Sequence, residues 1–304
     1  MDPDIATRIQ ALAEDHTRGA TALTREAAEI FAVLAEVSRA PGPSQFLSDL
    51  AEAGRVIMAA QPAMASLFTL ANTLLWAVDT SPPQGRRRLA EETARSFAAA
   101  LALRPDQITE IALACLPANA QVTTHSASSA VEALLLRAHR EGRLARVICT
   151  ESRPLNEGAA MAGRLAAQGI PVTLVADAVA PGLLDEIMVV VVGADTVSPL
   201  GIVNKAGTYP LALAAREVGA SVVALAGSEK RLPGSLADRE TLVEEERDPG
   251  ELIATPPAGV TVLNRAFDLT PLDVVSRVIS ESEVLNAAEI VATCEAIDVH
   301  PLLR

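Results

Sequence analysis

The spacing of apolar residues changes from a helical to a strand period near residue 118. Before that point, apolar residues such as Ile5, Ile9 and Leu12 recur every three or four positions, which predicts amphipathic helices. Beyond it, short β-branched runs alternate with helical stretches. The predicted strands are Gln121–Thr124, Arg146–Thr150, Pro171–Val175, Met188–Gly193, Ser221–Ala226 and Val260–Leu263. The predicted helices between and after them are Ser128–Glu141, Gly158–Gln168, Tyr209–Val218 and a last helical region beginning near Pro271.

This alternation predicts an α/β fold in two parts. Residues 1–118 form an N-terminal helical domain, and residues 119–304 form a Rossmann-like ligand-binding domain with a mainly parallel sheet. No internal repeat or low-complexity linker separates the two, so we expect them to pack directly, with a cleft between them. The uninterrupted apolar run 189–192 is typical of a strand that is covered on both faces of a parallel sheet.

The most informative polar residue follows that buried run. Asp195 comes directly after the predicted strand Met188–Gly193, and ligands of open α/β sheets bind at the carboxyl ends of the strands. A predicted loop with Asn204 and Lys205 comes next and leads to a helix from about Tyr209. An acid, an amide and a cation therefore meet where we expect the chemistry to occur.

The turn THSASS, residues 124–129, joins the first predicted strand to a helix. Its hydroxyl and backbone N–H groups suit an anion, but ordinary N-capping by Ser126 or Ser128 explains the same residues. For His125, taken by itself, we favour a structural role over a catalytic one. Both interpretations of the turn stay open at this point.

Three further charged residues follow predicted strands. Arg153 can form a plain ion pair with Glu151 or offer its donors to a phosphate, and we favour ligand contact. Asp177 is either a helix cap or a polar wall of the same pocket. Lys230 is either another cation at this edge or a surface residue. If the parallel sheet is correct, all of these side chains lie along one edge.

Composition excludes several classes of function. The net charge of −13 over 304 residues argues against nucleic acid as a partner. The acidic N-terminus is unlike a signal peptide, and no apolar run approaches the roughly 18 residues of a membrane span. The three cysteines are widely spaced and form no metal motif, which favours a reducing cytoplasm. We expect no metal, because the sequence has no metal-ligand cluster, and no cofactor, because both the dinucleotide fingerprint and the phosphate loop of nucleotide hydrolases are missing.

Several segments in this order carry a specific resemblance. They are THSASSAV, TESRPLNEGAAMAGRLAAQGIPVTLVADA, VVVVGADTVSPLGIVNKAGTYPLALAA, the lone Lys230, EERDP (residues 245–249) and VTVLNRAFDLTP (260–271). Together they resemble the family that unites the alpha, beta and delta subunits of translation initiation factor 2B with methylthioribose-1-phosphate isomerase and ribose-1,5-bisphosphate isomerase. The resemblance covers the chain from Gln121 to about Val284. The N-terminal half is similar chiefly through Arg18-Gly19-Ala20.

The resemblance implies roles for particular residues. The catalytic aspartate of the family's isomerases matches Asp195, whereas the place of their catalytic cysteine is occupied by Ser126. A thiol titrates near pH 8.5 and an alcohol is a far weaker acid, so this difference bears on proton transfer. An arginine before a proline in the family's isomerases corresponds to Gln61 here. The ligand-binding positions implied by the resemblance are Arg18, Gly19, Arg153, Asn204, Lys205 and Lys230.

Two functions follow from the resemblance. In the first, the chain binds a phosphorylated sugar or nucleotide in the interdomain cleft, with weak or no turnover, as a sensing or assembly protein. In the second, it is an active aldose–ketose isomerase of a phosphorylated pentose that uses Asp195, with Ser126 or His125 supplying the remaining acid chemistry. The resemblance also implies a homodimer or a higher homo-oligomer, formed through the C-terminal half.

Overall fold

The computed structural model describes residues 3–185, 187–243 and 246–304, so Glu245 of the EERDP motif lies outside the described residues. The N-terminal region is helical, as predicted. Its apolar stripes enclose a core that includes Phe31, Phe46 and Leu67. The helices are α1 (Pro3–Glu14), α2 (Ala20–Val37), α3 (Pro43–Ala60), α4 (Ala65–Asp79) and α5 (Arg86–Cys115).

The C-terminal region is built on a seven-stranded sheet in the order β10-β9-β7-β4-β1-β2-β3, in which β10 is antiparallel to β9 and the remaining pairs are parallel. The predicted α/β fold is therefore confirmed. The β-branched run of β4 is buried along its whole length between β1 and β7. The strands are β1 (Ala120–Thr124), β2 (Leu144–Thr150), β3 (Val172–Val175), β4 (Met188–Gly193), β7 (Ser221–Leu225), β9 (Arg277–Ile279) and β10 (Val284–Leu285).

Helices cover both faces of this sheet. Helices α6 (Ser129–Arg140), α7 (Glu157–Ala167) and α8 (Thr208–Val218) lie within one or two residues of the predicted helices. The short helices α9 (Arg239–Val243) and α10 (Pro249–Leu252) follow β7, and α11 (Ala287–Glu295) follows β10.

The predicted loop after Asp195 is wrong. The chain forms a β-hairpin there, from β5 (Thr196–Ser198) to β6 (Gly201–Lys205), and β6 also pairs antiparallel with β8 (Phe267–Thr270). Every residue of β6 is buried, including Asn204 and Lys205. Polar residues in a strand that is covered on both sides break the apolar pattern, which explains why the sequence does not reveal this strand.

Two predictions for the last part of the chain are also wrong. The segment Val260–Leu263 is not a strand, and its end residues Val260 and Leu263 are each 54% exposed. No α-helix begins near Pro271. A 3₁₀ helix of three residues, Leu272–Val274, begins there, and strands β9 and β10 follow before α11. Short apolar runs of this kind do not distinguish a strand from an exposed loop without their packing partners.

The small sheet β5-β6-β8 joins the two regions. Its residues Val203 and Leu269 belong to the same apolar core as the N-terminal helices. The backbone N–H of Ala65, at the start of α4, donates to Thr196 Oγ1 at 2.9 Å, and that hydroxyl donates to the carbonyl of Ala63 at 2.8 Å. The regions therefore pack directly, although a domain boundary at residue 118 stays a prediction.

No helix among the residues that the structure describes is both long enough and apolar enough to cross a bilayer.

Candidate functional site

A cavity of about 560 Å³ lies between the helical region and the carboxyl edge of the sheet. Helix α2 begins on one side of it. The other side is formed by the turn after β1, the end of β4, strand β6 and the short turn that carries Lys230. The structure brings most of the predicted site residues to its wall, namely Arg18, Gly19, Ser126, Asp195, Asn204, Lys205 and Lys230.

The N-terminal wall of the cavity is the beginning of α2. Gly19 is the N-cap residue and has no side chain to accept a hydrogen bond from the first N–H groups of the helix. The next residues, Ala20 and Thr21, line the cavity. The first N–H groups of a helix have no partner within the helix, so this end suits an anion. Burial would raise the pKa of Asp15, but hydrogen bonds from Arg18 and Thr17 outweigh it and lower that pKa below its usual range. The same carboxylate holds the guanidinium of Arg18 in place.

Gln61 lines the cavity but directs its amide into the protein. Its Nε2 donates to the carbonyl oxygens of Leu12 at 3.1 Å, Ala13 at 3.3 Å and Asp15 at 3.2 Å. These carbonyls belong to the end of α1 and the residues after it, which have no further helical partners. The side chain of Gln61 therefore fastens the end of α1.

The turn after β1 confirms the capping interpretation for Ser128, whereas anion binding by this turn stays a prediction. Ser128 is the N-cap of α6 and accepts a hydrogen bond from the N–H of Val131 at 3.5 Å. Ser126 adopts a left-handed conformation with φ of 69°, and its N–H donates to Ser152 Oγ at 2.8 Å. Its own hydroxyl donates to Glu157 Oε1 at 3.1 Å, on the cavity wall.

His125 has a structural environment. Its Nε2 lies 2.9 Å from the carbonyl oxygen of Ala206, and its Nδ1 lies 2.7 Å from Thr150 Oγ1. A carbonyl only accepts, so in the neutral ring Nε2 carries the proton and Nδ1 accepts from the threonine. Burial lowers the pKa of His125 and favours this neutral form. The imidazole therefore ties the β1 turn to the segment before α8 and is not among the residues that line the cavity.

Asp195 stands at the end of β4, as predicted. Its N–H donates to Val203 O at 2.8 Å and its carbonyl accepts from the N–H of Ala65 at 3.2 Å, so both regions hold its backbone. Burial raises the pKa of its carboxyl group, while Lys230 and Lys205 oppose that change. A carboxyl group perturbed in this way, in a cavity and beside cations, is a candidate for proton transfer.

The predicted cations of the C-terminal wall are in place. Lys205 Nζ lies 2.7 Å from Glu157 Oε1 and 5.8 Å from the centre of the Phe267 ring. Lys230 Nζ donates to the carbonyl of Ala194. Asn204 Nδ2 donates to Thr208 Oγ1 at 3.0 Å, which fixes the amide within the wall.

The structure does not bring Arg153 to the cavity, so its predicted position there is wrong. Its backbone N–H donates to Asp177 Oδ2 at 2.8 Å, and Asp177 Oδ1 accepts from Ser152 at 2.7 Å. Asp177 therefore anchors this loop and forms no part of the cavity wall. The anchored loop directs the guanidinium of Arg153 outward, where it donates to Leu252 O at 2.9 Å.

Sequence reasoning missed several charged residues of the wall. Arg247, from the EERDP motif, is buried in the wall with its guanidinium 5.7 Å from the centre of the Phe267 ring. Arg164 forms a bidentate pair with Glu132, with distances of 2.9 and 2.8 Å. Glu157 lies in a segment that carries the family resemblance, but only the fold shows which way it points. These residues sit on helices or loops whose orientation the sequence pattern does not specify.

The cavity thus combines cations, two helix N-termini and more than one carboxylate. Such a site can bind a phosphorylated ligand and can also move protons. Across residues 3–185, 187–243 and 246–304, no group of His, Cys, Asp and Glu side chains is arranged to hold a metal ion.

Residues 16–287 match the model of the initiation factor 2 subunit family, and the chain belongs to this family. It is 33% identical over 270 residues to ribose 1,5-bisphosphate isomerase of Archaeoglobus fulgidus. This alignment covers 87% of this chain and 84% of that protein. It is 32% identical over 303 residues to methylthioribose-1-phosphate isomerase of Pelotomaculum thermopropionicum. That alignment covers 93% of this chain and 82% of that protein. Among solved structures, the translation initiation factor eIF-2B of Pyrococcus horikoshii OT3 superposes with a TM-score of 0.79 and 27% identity, covering 94% of this chain and 98% of that one.

Proposed function

We propose that this protein binds a phosphorylated pentose in the cavity between its helical region and its sheet. The observation that carries the proposal is the convergence of Lys205, Lys230 and Arg247 with the beginnings of α2 and α6 on one cavity. Cations and helix N-termini together are suited to phosphate groups. The relatives named as isomerases of ribose 1,5-bisphosphate and methylthioribose 1-phosphate support a pentose as the phosphorylated group.

Ligand-dependent thermal stability tests this proposal. A ligand that binds only the folded state at about 100 times its Kd stabilises that state by about 2.7 kcal/mol. We expect ribose 1,5-bisphosphate to raise the Tm in a saturable way, and ribose without phosphate to have no effect. Adenosine monophosphate, as a third ligand, distinguishes a nucleotide site from a sugar-phosphate site. If neither phosphorylated compound changes the Tm, the proposal is rejected and an assembly role becomes the better account.

A second candidate function is aldose–ketose isomerisation of the bound pentose. It is favoured by Asp195, whose pKa is raised by burial in the wall of the cavity. The hydroxyl of Ser126 is too weak an acid to replace a thiol by itself. We therefore expect slow turnover, which is measured as ketose formation from ribose 1,5-bisphosphate.

We also propose a cytoplasmic homo-oligomer that assembles through the C-terminal region. The outer strand β3 leaves Leu174 51% exposed, and Val179 and Leu183, which follow it in the chain, are 48% and 42% exposed. An exposed edge strand with apolar neighbours is typical of a subunit contact. Light scattering on the purified protein should give at least twice the chain mass of 31.7 kDa, and Leu174→Lys should reduce it to one chain. A mass of one chain for the unchanged protein would contradict this assembly.

A further inference from the structure

The position of Glu157 offers the acid–base group that Ser126 cannot supply. Isomerisation of a sugar phosphate needs one group that removes a proton and another that donates one. Asp195 is one carboxyl group of the cavity. Glu157 is a second, and the hydroxyl of Ser126 is directed at it rather than into the open part of the cavity. The inference that follows rests on the proposed binding of a phosphorylated pentose.

The carboxylate of Glu157 is held by two hydrogen-bond donors on other elements. Its Oε1 accepts from Ser126 Oγ at 3.1 Å and lies 2.7 Å from Lys205 Nζ. The backbone is fixed as well, because a Cβ on the next residue, Gly158, would lie 2.2 Å from the carbonyl oxygen of Thr150. Helix α7 therefore begins in close contact with the end of β2. A catalytic group requires this kind of support from its surroundings.

The other oxygen of Glu157 has no partner in the described part of the chain. Oε2 is buried and accepts no hydrogen bond from the residues that the structure describes. A buried acceptor without a donor costs free energy, and such a group in a cavity wall calls for an explanation. A ligand that reaches this side chain, which is 25% exposed, and donates to the carboxylate would provide one.

Glu157 and Asp195, two of the carboxyl groups that line the cavity, differ in their surroundings. Glu157 is paired with an ammonium group, whereas burial raises the pKa of Asp195 and the negative charge of Glu157 adds to that effect. Two neighbouring carboxyl groups in unlike environments can divide the roles of base and acid.

We propose that Glu157 is the base that accepts the carbon-bound proton of the pentose, with Asp195 as the opposing acid. Ser126 is a positioning residue that holds the carboxylate of Glu157 by its hydroxyl. In this arrangement the wall needs no thiol.

The steps balance for a pentose that carries its phosphate on C1. Glu157 takes the proton from C2, the electrons of that C–H bond form the C1=C2 bond, and the C1–O4 bond breaks as Asp195 protonates O4. C1 of the resulting enol then takes the proton back from Glu157. The C2 hydroxyl returns its proton to Asp195 and becomes the ketone. Both carboxyl groups end in their starting states, and the phosphate stays on C1.

The experiment compares Glu157→Gln with Glu151→Gln. Glutamine keeps an acceptor for Ser126 and Lys205 but cannot take the proton. We expect turnover of ribose 1,5-bisphosphate to fall at least about 100-fold in Glu157→Gln, in the range that a general base contributes. Its Kd for the same compound should be unchanged or lower, because a negative charge has been removed beside the phosphate site. Glu151 lies in the loop that leads into α7 and is not among the described residues of the cavity wall, so Glu151→Gln should leave both values unchanged.

A rescue variant separates proton transfer from a structural effect. Adding Ser126→Cys to Glu157→Gln places a thiol at the neighbouring position, and we expect it to restore turnover by about tenfold or more, because a thiol titrates at about pH 8.5 and is a far stronger acid than an alcohol. If Glu157→Gln turns over like the unchanged protein, the role of Glu157 is rejected. If the unchanged protein binds the sugar phosphate and never converts it, the role is rejected and the proposed binding stands. If nothing binds, the proposed function fails, and this inference fails with it.

Discussion

The two walls of the cavity carry different kinds of groups. The N-terminal wall offers the beginning of α2, and its Arg18 is held by Asp15 while the amide of Gln61 is fully engaged with the end of α1. The C-terminal wall offers Asp195 and Glu157 beside lysines. The N-terminal wall thus presents fixed donors to an anion, whereas the C-terminal wall combines cations suited to phosphate with carboxyl groups that can exchange protons. We therefore expect substitutions of single residues in the C-terminal wall to separate affinity from turnover.

The carboxyl groups of the two regions also differ in their electrostatics. In the N-terminal wall, burial acts against the hydrogen bonds from Arg18, and these bonds lower the pKa of Asp15. In the sheet region, burial raises the pKa of Asp195 and raises that of Asp268 to about 6. Desolvation favours the neutral acid, whereas close cationic donors favour the carboxylate. Of these three carboxyl groups, the two in the sheet region therefore have the raised pKa values.

The strongest test of this division is Asp195→Asn. We expect turnover of ribose 1,5-bisphosphate to fall about 1000-fold, which corresponds to about 4 kcal/mol of transition-state stabilisation. The Kd should stay within about threefold, because the amide is nearly isosteric and the lysines remain. Calorimetry and ketose formation on the same sample measure the two effects. An equal loss of binding would contradict the assignment of proton transfer to this wall.

The pH dependence of stability gives the next largest effect, through Asp268. Its Oδ2 accepts from the N–H groups of Gly207 at 2.8 Å and Tyr209 at 3.0 Å, at the beginning of α8. Burial raises its pKa from 3.8 to about 6, despite these bonds. Between these values the folded protein holds a proton that the unfolded chain has released, so this contribution to stability is complete at low pH and is lost as the pH rises through about 6.

We therefore compare the unchanged protein with Asp268→Asn in urea titrations from about pH 4 to 7. The difference in the free energy of unfolding, unchanged protein minus variant, should fall by up to about 3 kcal/mol as the pH rises. A difference that grows with pH would show that Asp268 behaves like Asp15 and would remove this contrast between the regions.

Lys205→Met is expected to weaken binding without destroying the fold. Loss of the ammonium group leaves Glu157 unpaired beside the phosphate site, so the Kd should rise about 100-fold, or about 2.7 kcal/mol. The control Arg216→Met removes the same charge from an exposed pair with Asp273, whose atoms are 3.2 Å apart, and should leave the Kd unchanged. Equal effects of the two variants would indicate a general charge effect and not a site.

Gln61→Leu should give the smallest effect, and it should affect stability alone. The change leaves three carbonyls at the end of α1 without the amide donor, which costs roughly 2 kcal/mol in the free energy of unfolding. Because the amide faces α1 and not the ligand, we expect the Kd for ribose 1,5-bisphosphate to stay the same. A weaker Kd would mean that the N-terminal wall binds the ligand through Gln61 as well.

The local pattern of the sequence was sufficient to predict most strands of the large sheet and the positions of some of the site residues. The run before Asp195 has only one consistent interpretation, a strand buried on both faces, and the end of such a strand locates the acid. Lys205 and Lys230 could be placed because they follow the same edge. The family resemblance pointed to Ser126. It also pointed to Arg153, which the loop anchored by Asp177 holds outside the cavity.

What the sequence determined by itself is the order and type of the main elements, because periodicity depends only on neighbours along the chain. Only the tertiary structure decided that Asn204 and Lys205 lie on a hairpin strand, that Gln61 fastens α1, and that Glu157 meets Ser126 across two elements. Those outcomes depend on contacts between residues that are distant in sequence, and such contacts leave no periodic trace in the chain.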